Sequence, residues 1–144
     1  EHVYAGATTT HTTISSGGAE NLSGGSNLSA TVLSAGIENI YSGGVASATN
    51  VSSGGVTYVW SGGIDRNTVV SNGGVDLVSS GGTTSGTLLS SGGREIVYAG
   101  GIASGATVLA GGTLTISSGG ALAGGLTISG GTAVISGTAA AGQV

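Results

Sequence analysis

Five of the six acidic side chains in this chain keep one spacing: Glu1, Glu20, Glu38, Asp76 and Glu95 lie 19, 18, 38 and 19 residues apart. Carboxylates gathered by such a period could grip a divalent cation or a cationic partner. With basic partners, clustered carboxylates could also cleave a glycosidic bond, as in β-helical polysaccharide-degrading enzymes. Arg94 is the only basic residue beside the column, which argues against that chemistry. Like charges about 5 Å apart also destabilise one another and raise each other's pKa values. Two readings stand: a solvated acidic edge that serves solubility, and a divalent-cation or partner site.

A second set with the same period is aromatic. Tyr4, Tyr41, Trp60 and Tyr98 share a column with Ser23, Ser79, Ser117 and Ser136, and comprise every Tyr but Tyr58 and the only Trp. Exposed aromatics are common interface anchors. The column is therefore a candidate interaction surface, with plain stacking along a strand face as the alternative. Serines precede the glycine pairs, or their equivalents, at Ser16, Ser23, Ser34, Ser42, Ser53, Ser61, Ser80, Ser91, Ser118 and Ser129. Ser hydroxyls support turns by bonding nearby backbone, which by itself accounts for the pattern. Other chemistry fails on inspection. His2 and His11 are too few and too terminal for a triad or a zinc site. The calcium-binding nonapeptide is missing, and Thr-x-Thr segments at Thr8–Thr12 and Thr113–Thr115 do not recur in successive units. No catalytic, cofactor-binding or metal-ligating set is legible, so the chain is not expected to be an enzyme.

A repeat must position these columns. Glycine pairs begin at Gly43, Gly54, Gly62, Gly73, Gly81, Gly92, Gly100, Gly111 and Gly119; the steps alternate between 11 and 8, so one unit is 19 residues. The register runs back through Gly17-Gly18 to Gly6-Ala7, with one residue deleted between Gly17 and Gly24. It runs forward to Gly130-Gly131, after which residues 137–144 match poorly. The sixth position of each short arm is apolar without exception: Val3, Leu22, Ile40, Val59, Val78, Val97, Ile116 and Ile135. A matching ladder in the long arms holds Ile14, Val32, Val51, Val70, Leu89 and Val108, then Thr127. β-Branched residues of this kind suit pleated, buried strands. The aromatic column, one position on, has the opposite parity and should point outward. The acidic column shares the parity of the buried ladder, so the strand must bend or begin between them.

Glycine at every eighth or eleventh residue disfavours helices, since each interior Gly costs about 1 kcal/mol against Ala. Chemical likeness at 19-residue intervals is what stacking each turn upon the last requires. The expectation is an all-β fold: a parallel β-helix of seven to eight turns, right-handed by the crossover rule. At about 4.8 Å per turn it would make a rod about 35 Å long, a single array over residues 1–144.

Composition narrows the function. Gly supplies 32 of 144 residues, charged residues 6%, and the net charge is −4. A mean hydropathy of +0.40 sets the chain apart from disordered Gly-rich sequences. Two Arg and no Lys cannot neutralise a phosphate backbone, which excludes nucleic acid. The absence of Cys excludes a disulfide framework. No apolar run reaches the ~18 residues of a membrane span. The chain opens directly in repeat sequence without a signal peptide, and is read as a piece of a longer protein.

The segments NVSSGGVTYVWSGG, VSSGGTTSGTLLSSGG and VYAGGIASGATVLAGG resemble the AIDA-type repeats of bacterial autotransporter passengers, and the resemblance covers residues 1–136. It implies a right-handed β-helix displayed extracellularly at the outer membrane of a Gram-negative cell. It further implies homotypic self-association between cells, in aggregation and biofilm, and adhesion to a host surface receptor or glycans. O-linked heptose on Ser and Thr, added by a dedicated heptosyltransferase, belongs to the same expectation, and makes the serines before the glycine pairs candidate acceptors, since a transferase would need exposed corners. A passive stalk or fibre unit is the alternative function, and a polysaccharide-active β-helix enzyme the third.

Overall fold

The computed structural model describes residues 1–140, and every regular element in that range is a strand. Residues 56–74 show how one unit is made. Strands Val56–Val59, Ile64–Arg66 and Val69–Val70 follow one another around the axis and are separated by three corners. In the first corner the Gly63 amide donates to the Trp60 carbonyl across a four-residue turn. The second is a single left-handed residue, Asn67, with φ 55°. The third closes when the Gly74 amide donates to the Ser71 carbonyl, with Asn72 at φ 48° and Gly73 at φ 80°. The two glycines of this pair serve different ends. Gly73 supplies the positive φ, whereas a Cβ on Gly74 would lie 2.3 Å from the Val51 carbonyl of the preceding turn.

Turns then stack in register through parallel pairing. Val56 pairs with Val75 and Val59 with Val78; Ile64 pairs with Thr83, and Val69 with Leu88. Three sheets result. The first has eight strands, from His2–Tyr4 to Thr132–Ile135; the second has eight, from Thr8–Thr10 to Thr138–Ala139; the third has seven, from Thr13–Ile14 to Thr127–Ser129. The parallel β-solenoid expected from the repeat is what forms, with about seven turns of about 19 residues and no helix among the described residues.

The core runs up the centre. Leu22, Ile40, Val59, Val78, Val97 and Ile116 of the first sheet are fully buried, in one cluster with Val32, Val51, Val70, Leu89 and Val108 of the third. Each such side chain contributes roughly 1.5–3 kcal/mol by leaving water.

Two details of the ladders change. The deleted residue sits in the first corner: Tyr4 pairs with Ser23 and Thr8 with Ser26, so Gly24 and Gly25 alone span what Ala5, Gly6 and Ala7 span below. At the far end Val108 pairs with Ile128, not with Thr127 as the 19-residue period predicts; Thr127 pairs with Thr107. Ala103 still pairs with Leu122, so residues 123–126 replace residues 104–106 and the second corner is one residue longer. Ile128 is 46% exposed there, and the last rung of this ladder is not buried. The poorly matched segment still adds a strand, Thr138–Ala139, which pairs with Ala121 and Leu122 after a corner two residues shorter than usual. Residues 141–144 of that segment lie outside the described range.

Candidate interaction surface and a buried acid file

Side chains at the seventh position of the short arm point outward, as parity with the core ladder dictates. Tyr4 is 62% exposed, Trp60 37%, and Tyr41 and Tyr98 fall between them. The column is broken into groups. Tyr4 stacks on His2 with ring centroids 6.0 Å apart. Trp60 stacks on Tyr41 at 6.2 Å and, from the other side of the notional column, on Tyr58 at 5.5 Å. Tyr98 stands alone, two rungs from Trp60 with Ser79 between them. Tyr58 is a member that reading down one column missed. It lies two residues before Trp60 on the same strand, and that parity was the available signal.

The same face carries an amide ladder. Asn39 Nδ2 donates to Asn21 Oδ1 at 3.0 Å, and Trp60 Nε1 donates to Asn39 Oδ1 at 3.2 Å. The outer surface of the first sheet between residues 21 and 60 is thus a polar ladder ending in three aromatic rings. The second of these bonds ties the indole to the amide ladder.

The serines occupy two kinds of corner. Ser42, Ser61, Ser80 and Ser118 stand in the first corner and are exposed. Ser16, Ser34, Ser53 and Ser91 stand in the third, also exposed, with φ between 47° and 54°. Ser129 is exposed at the end of its strand, while Ser23 is half-buried within Ala19–Ser23.

Of the two readings of the acidic column, the solvated edge is overturned. Glu1 is exposed, but Glu20, Glu38, Asp76 and Glu95 are all buried inside the solenoid, with Thr57 filling the rung between Glu38 and Asp76. The strand neither bends nor starts late: the fourth position faces inward just as the sixth does, and strands Ile37–Ile40, Val56–Val59 and Val75–Val78 alternate half-buried and buried. Asp65, the one acid outside the column, joins the file from the second sheet. Donors from the other arm or from the same corner reach every one of these acids but Asp76. Thr49 Oγ1 donates to Glu38 at 3.2 Å, Thr68 to Asp65 at 2.5 Å, and Thr84 to Glu95 at 2.5 Å. Glu20 accepts from Thr9 Oγ1 at 2.8 Å and from Asn27 Nδ2.

Burial dominates the titration of these acids. It raises Glu38 well above the usual carboxylate range, with the nearby Asp65 and Glu20 charges adding to the effect. Asp76 is raised in the same way, first by burial and then by Asp65, Glu95 and Glu38. Burial lifts Asp65 to about 6 against the Thr68 hydrogen bond, and Glu95 to about 7 against that of Thr84. No trio of His, Cys, Asp or Glu among the described residues is arranged to hold a metal ion, and no pocket opens there.

Residues 40–93 match the family model described as adhesin of bacterial autotransporter system, probable stalk. The structure is similar to a crystal structure of a TibC-catalysed, hyper-glycosylated TibA fragment: TM-score 0.65 and 36% identity, covering 92% of this chain. The chain spans 65% of the length of that fragment. No curated protein sequence matches this chain.

Proposed function

From the match to the autotransporter adhesin family model, and a fold shared with the TibA fragment at 36% identity over the aligned residues, we propose that this chain is a cell-surface adhesin segment that binds a second copy of itself on a neighbouring cell. The observation that carries the reading is where the family match falls. Residues 40–93 contain Tyr41, Tyr58 and Trp60, the stacked aromatic cluster on the outer face of the first sheet. The segment works as displayed surface outside the cell, in aggregation and biofilm, without catalysis. Its exposed corner serines are the acceptors for O-linked sugar, added by a heptosyltransferase during maturation; the hyper-glycosylation of TibA supports this. Host receptors or glycans are further partners of the same outer faces.

A passive stalk is the second reading, favoured by the family description itself. Cells displaying this segment alone distinguish the two. The adhesin reading expects them to clump and settle, and expects clumping to fall at least several-fold in the triple variant Tyr41→Ser, Trp60→Ser, Tyr98→Ser. Cells that display the folded segment and stay dispersed establish the stalk. Clumping that survives the triple variant moves the contact to other faces or to the sugars, which removal of the transferase then separates.

A further inference from the structure

We propose that the acid file inside the solenoid is a proton-operated latch, locking residues 37–97 in acid and loosening them in base, while the turns beyond residue 100 stay indifferent to pH. The geometry carries this. Both carboxyl oxygens of Asp76, and one each of Glu38, Asp65 and Glu95, are buried and make no hydrogen bond of normal geometry, although the neighbouring Leu77 amide lies close enough to Asp76 to offset part of the cost of its charge. The hydroxyl of Thr57, on the intervening rung, is equally unpartnered. A bare carboxylate in such a place costs several kcal/mol, and a neutral carboxyl far less.

No positive charge answers the file from any side. The first sheet contributes only acids and Thr57 to it, and the second sheet contributes Thr9, Asn27, Asp65 and Thr84. The corner before the third sheet contributes the hydroxyls of Thr49, Thr68 and Thr87, and the third sheet itself only apolar side chains. Arg66 and Arg94, the chain's two cations beyond its N-terminus, are exposed on outer faces, and His2 and His11 are exposed on the first turn. The proton is therefore the counter-ion that the interior accommodates without opening. Past residue 100 the equivalent inward positions hold Ala103, Leu114 and Leu122, and nothing there titrates.

The sign follows from linkage. In the unfolded chain these carboxyls ionise near pH 4, whereas burial holds Asp65 to about 6, Glu95 to about 7, and Glu38 and Asp76 above the ordinary range. The folded state thus binds more protons between those limits. Stability is fully present below about pH 4 and declines as the pH rises through 6 and 7. Each retained proton shifts the folding equilibrium by up to about tenfold per pH unit.

The test is urea unfolding of the full chain at pH 5 and pH 8, followed by circular dichroism, with hydrogen exchange read by segment. The latch expects a lower midpoint at pH 8. It expects faster exchange at pH 8, after correction for the intrinsic rate, over residues 37–97 and not over residues 107–122. The amide variant Glu38→Gln, Asp65→Asn, Asp76→Asn, Glu95→Gln should lose most of the pH dependence. A midpoint equal or higher at pH 8, or an amide variant with the parent's full pH dependence, overturns the proposal. If that variant does not fold, infrared spectra of the parent decide: a protonated-carboxyl band in the folded protein at pH 6 supports the latch, and its absence sinks it. Added Ca²⁺ should leave the pH 8 midpoint unchanged; full restoration by Ca²⁺, reversed by a chelator, would show that a cation fills the file and overturn the proton reading.

Discussion

The turns up to residue 97 and those that follow have the same outline and different interiors. In both, the strands pair in parallel, and an aliphatic side chain fills the sixth position: Val59 and Val78 in one half, Ile116 in the other. At the fourth position the earlier turns bury Glu20, Glu38, Thr57, Asp76 and Glu95, whereas the later ones present Leu114 and Ala133. The difference teaches that backbone ladders and glycine corners are sufficient to hold the solenoid's shape. The identity of half the interior is then free to vary, and it sets the cost of each rung and what the rung responds to.

The largest effect should come from placing an unanswered charge on a rung that both halves need apolar. Val78→Asp should cost several kcal/mol, against about 0.5 kcal/mol or less for Ser79→Asp, which adds the same charge on the outer face. Chemical denaturation of the two variants at pH 8 measures this; equal midpoints would undo the inward and outward assignment on which the comparison stands.

A pair of smaller changes sharpens the contrast between the halves. Leu114→Ala removes packed volume from the apolar interior and should cost about 2–5 kcal/mol. Thr57→Val, nearly the same in shape, removes a buried hydroxyl that has no partner. It should stabilise the chain by about 1 kcal/mol. If Thr57→Val is instead clearly destabilising in urea titrations, its hydroxyl has a bonding role in the acid file, and the file is better satisfied than the static geometry indicates.

The smallest effect tests the corners, which the two halves share. Ala35 takes the place of the first glycine of its pair and is held at φ 62°. Left-handed backbone costs a residue with a Cβ roughly 1–2 kcal/mol. Ala35→Gly should recover about 1 kcal/mol of that, visible as a rise in melting temperature of a few degrees. No rise would mean that glycine's extra freedom in the unfolded chain cancels the relief.

Much of this molecule was open to reading down its columns. The 19-residue period, the sixth-position ladder and the outward aromatic column are local facts of spacing and parity, and they need no knowledge of what lies across the core. The Thr127 rung failed because the period was carried past a corner that gains a residue, and a strand's register depends on the corner before it. Tyr58 was missed because it sits one alternation away from the column being followed. Parity also placed the acids inside, but a row of like charges in a core conflicts with the cost of burying charge, and the solvated edge was the simpler resolution.

The sequence by itself determined the solenoid, because glycine placement and side-chain alternation act within a single turn and repeat. Only the tertiary structure decided the fate of the acids. Asp65 finds its donor locally, in Thr68 three residues on, but Glu38 and Glu95 take theirs from the other arm, Thr49 and Thr84 each 11 residues away. The two longer contacts close only when the sheets fold around one axis, and the balance between a buried charge and a buried acid is settled by that enclosure.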